Sequence, residues 1–223
     1  VSPIMNAQGR IVGASKIARD ITEQKRAAEK IRLLAREVDH RANNLLATIQ
    51  AILRLTRASS LEEFKREVDG RIAALAKAHK LIGEGASGNA AVRQLAVEEL
   101  SQYGVEEGGP IRISGPDFFL DARSAQGLTM VLHELATNAA KYGALSRPSG
   151  TVSLEWSLYS ENGVRFVWTE LGGPHVRAPA HRGFGTKLLE GVIKSDLGGD
   201  LSFDWDERGL ICLFSLLPRD LDD

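Results

Sequence analysis

Two groups of residues in this chain have the types and spacing for phosphate chemistry. The first is His40 in the run Asp39-His40-Arg41-Ala42-Asn43-Asn44. A neutral imidazole nitrogen is a competent nucleophile toward phosphorus when a nearby carboxylate orients the ring or takes its other proton. Asp39 is the adjacent carboxylate. The second group is Glu134, Asn138 and Lys141, spaced i, i+4 and i+7. On a helix that spacing places a carboxylate, an amide oxygen and an ammonium in one row. Asn138 can give an oxygen to Mg²⁺, which takes few protein ligands beside phosphate oxygens and water, and Lys141 can neutralise phosphate charge.

Glycines follow in the second half. Glu170-Leu171-Gly172-Gly173-Pro174 closes a strand pattern, and Arg182-Gly183-Phe184-Gly185-Thr186-Lys187 opens a helical one. Glycines let a ligand approach the backbone, and a helix start offers free N–H groups to phosphate. Each feature alone is weak: a solvated helix face or a surface histidine explains it equally well. For His40, taken from its own segment, the surface reading prevails. Three such elements in this order are stronger evidence than any one.

These residues need elements to hold them. A hairpin pattern spans 2–18 around the turn Asn6-Ala7-Gln8-Gly9. Asp20, with Glu23 three residues on, predicts a capped helix from about Ile21 to Ser59. Ile31, Leu34, Val38, Ala42, Leu45, Ile49 and Ile52 form one apolar stripe along it. On a wheel of about 100 degrees per residue His40 lies roughly 160 degrees from Val38, which predicts an exposed imidazole. After Ser59-Ser60 a second amphipathic helix is expected at 61–83, carrying Leu61, Phe64, Val68, Ile72, Leu75 and Ile82. His79 falls on that apolar side and is expected in the core. Two helices with one stripe each form a helical hairpin whose remaining apolar surface calls for a second copy, hence a homodimer, unless the linker or a preceding segment covers the stripe in a monomer.

Beyond the linker 83–89 the pattern mixes a helix near 90–103, a strand near 110–114, a helix at 121–142, a hairpin at 151–170, a helix at 184–197 and a last hairpin at 200–217. Helices and antiparallel strands in separate runs predict an α+β layer. Hydrophobic residues make up 43% and charged residues 26%, which excludes a disordered chain. With 28 basic and 29 acidic residues, net charge gives no general case for nucleic acid or membrane binding. The single cysteine, Cys212, lies in an apolar run and is expected buried and inert. No stretch approaches the ~20 apolar residues of a bilayer span, and a cytoplasmic location is expected. The chain starts at Val1 in mid-pattern and reads as part of a longer protein.

The boxes together resemble the HWE family of sensor histidine kinases within the GHKL ATPase superfamily. His133-Glu134-Leu135-Ala136-Thr137-Asn138-Ala139 is similar to its asparagine box, and Trp168-Thr169-Glu170 to its first glycine box. Gly183-Phe184-Gly185-Thr186 is similar to the second glycine box, and the segment around His40 to the phosphoacceptor box. The resemblance spans about 30–217. Residues 9–22 are similar to the end of a PAS domain. The resemblance implies a helical-hairpin phosphoacceptor bundle followed by a GHKL-type α/β-sandwich ATP-binding domain. The implied division is a PAS-like remnant at 1–20, the bundle at 21–84 and the ATP-binding domain at 85–223.

It also implies roles. His40 is the phosphorylation site and Asn138 the Mg²⁺ ligand, with Glu134 assisting the metal or the proton. Glu170 stands where other GHKL proteins carry an aspartate that bonds the adenine amino group. Gly172, Gly183 and Gly185 shape the lid and phosphate loop, with Thr186 and Lys187 by the phosphates. His133 and Trp168 are family markers without an assigned chemistry. The implied activity is ATP-dependent autophosphorylation of His40 and transfer to an aspartate of a response regulator. Two departures stand out: Arg41 follows His40 where an acid is common, which leaves the general base open, and Asn43 replaces a frequent lysine. The loop 171–183 is short for an ATP lid. The alternatives are a non-enzymatic phosphotransfer module with a relic ATP domain, and a GHKL ATPase of another kind. The first is disfavoured by the presence of Asn138, Glu170, Gly183 and Gly185, the second by the phosphoacceptor helix.

Overall fold

The computed structural model describes residues 2–15, 19–84, 89–159, 163–175, 184–206 and 208–217. The chain forms two compact units, Val1–Gln50 and Ala51–Asp223. In the first, β1 (Ser2–Met5) and β2 (Ile11–Ser15) pair as an antiparallel hairpin. Its turn is fixed by the Asn6 side-chain oxygen, which accepts from the N–H groups of Gln8 and Arg10, and by Gly9 at φ 75°. Helix α1 (Thr22–Leu55) follows. Asp20 Oδ1 accepts from the Thr22 N–H at 2.8 Å and so satisfies one free donor of its first turn. The N-terminal part of the apolar stripe of α1 stands open, with Ile31 67% and Val38 65% exposed, whereas Leu45 and Ile49 further along are half-buried.

The second unit begins with the last turn of α1. Helix α2 (Leu61–Glu84) is capped by Ser60, whose Oγ accepts from the Glu63 N–H, while the Glu63 carboxylate accepts from the N–H of the preceding Ser59. Its buried stripe is Val68, Arg71, Ala74, Leu75, Ala78 and Ile82. That stripe corrects one expectation. His79 is exposed rather than in the core, and Ile72 and Leu61 are exposed too. The reason is the small residues Gly70, Ala74 and Ala78, which allow close helix approach and rotate the packed face away from His79.

The rest is an α+β layer. In chain order come β3 (Ala90–Ala91), α3 (Val92–Leu100), β4 (Ile111–Ser114), β5 (Phe119–Leu120), α4 (Ala122–Lys141), β6 (Thr151–Leu158), β7 (Val164–Leu171), α5 (Phe184–Gly191), β8 (Leu201–Asp206) and β9 (Gly209–Leu216). The main sheet has the order β4-β6-β7-β9-β8. Its pairs are antiparallel except β4–β6, which is parallel because the chain between them crosses over through α4. The antiparallel expectation therefore fails at that one pair. Helix α4 is capped by Asp121, whose Oδ1 accepts from the N–H groups of Arg123 and Ser124.

Period two along β7 turns Val164, Phe166, Trp168 and Glu170 to one buried face. Against that layer pack Leu128, Leu132 and Leu135 of α4, together with Ile193 and Leu197. Each such side chain contributes about 1.5–3 kcal/mol of burial. Phe166 stacks on Phe214 with centroids 4.8 Å apart. Cys212 is fully buried among them, and burial pushes its thiol up to about 12, as its apolar run predicts.

Candidate functional site

Two clusters of functional side chains form around α4, one at its C-terminal end and one along its row of polar residues. The first is built on Glu170. Its carboxylate is 3% exposed. Trp168, on the same face of β7, donates its indole N–H to Glu170 Oε1 at 3.0 Å. The backbone N–H of Ala144, just past the end of α4, donates to Oε2 at 2.8 Å. Gly143 is required there, because a Cβ at that position would lie 1.9 Å from Glu170 Oε2. Gly172, at φ 72°, and Gly173 bring the end of β7 against the same loop, where a Cβ on Gly173 would meet the Ala144 backbone at 2.8 Å. Burial raises the Glu170 pKa from the ordinary value, while the two hydrogen bonds oppose that rise.

The second cluster joins α4 to α2 and α5. Glu134 is buried, and Arg71 of α2 grips it in two bonds, Nε to Oε1 at 2.6 Å and Nη2 to Oε2 at 3.0 Å. A Cβ on Gly185, in the first turn of α5, would stand 3.2 Å from Glu134 Oε2 and 3.3 Å from Asn138 Nδ2. The absence of a side chain lets the first turn of α5 sit close against one carboxylate and one amide. Lys141 pairs with Glu67 of α2, and Glu67 lies 3.8 Å from Arg71. Charges therefore alternate along the interface as Glu134, Arg71, Glu67 and Lys141. Thr186 is half-buried and Lys187 exposed on α5.

His133 acquires a structural role. Its Nδ1 lies 2.7 Å from Oε1 of Glu99 on α3, a residue 1% exposed. The other side of the ring faces Gly70, where a Cβ would stand 3.2 Å from Nε2. The imidazole thus packs between α3 and α2. His40 lies on α1, with its side chain outside what the structure describes, and Asp39 is exposed. Gly183 lies outside the described residues.

Of the residues expected from sequence, Glu134, Asn138 and Gly185 come together, and Glu170 and Gly172 meet at the end of α4. Sequence reasoning missed Arg71, Glu67, Thr56 and Glu99. For Arg71 a signal existed: a basic residue three after Val68 and four before Leu75 occupies a core position, which demands a buried anionic partner.

The donor set fits a nucleotide with magnesium. Among the described residues no group of three or more His, Cys, Asp or Glu can hold a metal alone, so a cation here needs phosphate oxygens and water beside the Asn138 oxygen, which suits Mg²⁺.

The chain is similar to known proteins. Residues 37–117 match the family model described as HWE histidine kinase. The blue-light-activated histidine kinase of Brucella ovis is 32% identical over 200 residues, covering 87% of this chain and 41% of the relative. That of Brucella anthropi is 34% identical over 197 residues, covering 86% of this chain and 40% of the relative. The chain therefore spans about two fifths of the length of the curated relatives it matches. The histidine kinase domain of an Erythrobacter litoralis blue-light activated histidine kinase aligns with a TM-score of 0.55 at 16% identity, covering 80% of this chain and 94% of that one. A longer structure of that protein gives 0.62 at 20% identity, covering 95% and 64%. At these identities the likeness establishes the fold, and it is the expected one: a helical part followed by an α/β domain.

Proposed function

We propose that this chain, which belongs to the HWE histidine kinase family, binds ATP in its second unit and phosphorylates His40, from which the phosphoryl group passes to an aspartate of a response regulator. The observation that carries this reading is the convergence of Glu134 and Asn138 of α4 on Gly185 of α5. The proposed organisation is a PAS-like remnant at 1–20, the phosphoacceptor helices at 21–84 and the ATP-binding domain at 85–223. The open stripe of α1, with Ile31 and Val38 exposed, supports a homodimer through the helical part. No helix among the described residues is long and apolar enough to cross a membrane, and we assign the activity to the cytoplasm.

In this mechanism the Glu170 carboxylate accepts a hydrogen bond from the adenine amino group, while Trp168 and Ala144 hold it in place. Asn138 is the protein ligand of Mg²⁺. When bound, the cation neutralises charge on the β- and γ-phosphates. The phosphates meet the first turn of α5, where Gly185, Thr186 and Lys187 lie, and Gly172 and Gly183 shape the surrounding loop. An imidazole nitrogen of His40 forms a bond to the γ-phosphorus as the bond to the β–γ bridging oxygen breaks and ADP leaves. The proton on the other ring nitrogen passes to a base, for which Asp39 and Glu134 are the candidate carboxylates.

The test is incorporation of label from γ-labelled ATP. Acid-labile label in the wild type and none in His40→Ala supports the reading, because phosphohistidine hydrolyses in acid. Full labelling of His40→Ala would sink it.

A further inference from the structure

Arg71 is 4% exposed, and its three side-chain nitrogens reach Glu134 on α4 and Thr56 just past the end of α1. Nε and Nη2 take the two oxygens of Glu134, the fork geometry in which guanidinium binds carboxylate most specifically. Nη1 donates to Thr56 Oγ1 at 2.7 Å, and Thr56 Oγ1 donates in turn to the Ile52 carbonyl at 2.6 Å. Arg71 is thus aimed from the C-terminal end of α1 and aims Glu134 on α4. The oxygen that accepts from Nη2 is also the one facing Gly185. An unrestrained glutamate on a helix face samples several rotamers; this one is held against the phosphate loop. An apolar pair would join α2 to α4 at least as well, since buried ion pairs add little net stability over apolar packing. The charge is therefore better explained by the carboxylate it orients.

We propose that Arg71 is a positioning residue for the nucleotide site. It fixes Glu134 beside Asn138 and Gly185, and through Thr56 it ties that geometry to the last turn of the helix that carries His40. The inference rests on the Mg²⁺–ATP reading of that site, and Arg71 acts there through Glu134.

The test uses the full chain with Arg71→Gln, Arg71→Lys and Thr56→Val, each checked for folding by thermal melting. Two quantities are measured: affinity for the β,γ-imido analogue of ATP by calorimetry with and without Mg²⁺, and the rate of His40 labelling at saturating ATP. Loss of a second-sphere positioning group lowers metal affinity or rate by about 10–100-fold. Arg71→Gln is expected to lose that factor in the Mg²⁺-dependent part of the affinity and in the rate, with Mg²⁺-free affinity unchanged. Arg71→Lys, which cannot make the fork, does not restore it, and Thr56→Val shows a smaller loss in the same quantities. In a Glu134→Gln background Arg71→Gln adds no further loss.

A folded Arg71→Gln protein with the wild-type Mg²⁺ gain and rate would reduce Arg71 to a packing residue. A rate above wild type would make the contact a brake. Either overturns the proposal. If Arg71→Gln does not fold, Arg71→Lys and Thr56→Val decide by the same two measurements. If the wild type binds the analogue but labels no histidine, the fault lies with the reading of His40, and the Mg²⁺-dependent affinity alone decides on Arg71.

Discussion

Trp168 donates its indole N–H to the carboxylate of Glu170, two residues on along the same strand, at 3.0 Å. Both face the buried side of the sheet, so the tryptophan holds the carboxylate at its edge. Trp168→Phe keeps most of the apolar contact and leaves Glu170 Oε1 without that donor. An unsatisfied buried acceptor costs about 1–3 kcal/mol. We expect a stability loss in that range by urea unfolding, with ADP affinity about tenfold weaker by calorimetry, since about 1.4 kcal/mol is tenfold. Undiminished ADP affinity in a folded variant would show that Trp168 does not position Glu170 for the base.

The raised pKa of Glu170 gives a pH dependence. The native protein binds this proton more tightly than the unfolded chain does. The associated stability is fully present below the ordinary glutamate value of 4.5 and is lost as pH rises through the raised value. Binding of the adenine amino group runs the other way, because it needs the ionised acceptor. Adenosine affinity is therefore predicted to strengthen as pH climbs from 4.5 through that window, and to stay flat in Glu170→Gln. Calorimetry across pH checks this; equal slopes in the two proteins would refute it.

Gly185→Ala separates folding from binding. Alanine is favoured over glycine in a helix by about 1 kcal/mol, while crowding Glu134 and Asn138 costs about 1–3 kcal/mol, so a small net loss of thermal stability is expected. The new methyl group would stand 3.2 Å from Glu134 Oε2 and 3.3 Å from Asn138 Nδ2 and displace both from their present positions. We expect about tenfold weaker binding of the imido analogue with Mg²⁺, or roughly 1.4 kcal/mol. A stable variant with unaltered affinity would place the phosphates elsewhere.

Gly70→Ala tests the His133 contact. In a free helix the change stabilises by about 1 kcal/mol. Here the Cβ would meet the His133 ring at 3.2 Å, and Glu99 holds the ring from its other side. Overpacking costs about 1–3 kcal/mol, so a net loss is predicted in urea unfolding. In a His133→Ala background the same change should turn neutral or favourable; a loss of equal size there would clear the histidine.

The order and type of the longer elements were readable because each obeys its own period, whereas the two-residue strands β3 and β5 are too short to show one. Glu134, Asn138 and Lys141 stand in one row by helical spacing, and Trp-x-Glu places Trp168 and Glu170 on one face of a strand by period two. The partners of those residues were not readable. Arg71 lies 63 residues from Glu134 and Glu99 lies 34 from His133, and nothing in a local pattern says which helix meets which. His79 shows the same gap. Its placement by the large apolar residues put it inside, whereas packing against α4 selected the small ones. The parallel pairing of β4 with β6 depends likewise on the crossover through α4, which no strand pattern encodes.

Cys212, the chain's single cysteine, is fully buried on β9, opposite Trp168 and Phe203 on the neighbouring strands. A thiol so placed reacts with an alkylating reagent only when the sheet opens. Its labelling rate is therefore an internal clock of sheet opening in this protein. Nucleotide that binds only the folded state slows that clock by the factor 1 + [L]/Kd, so one mass measurement reports ligand occupancy without any turnover.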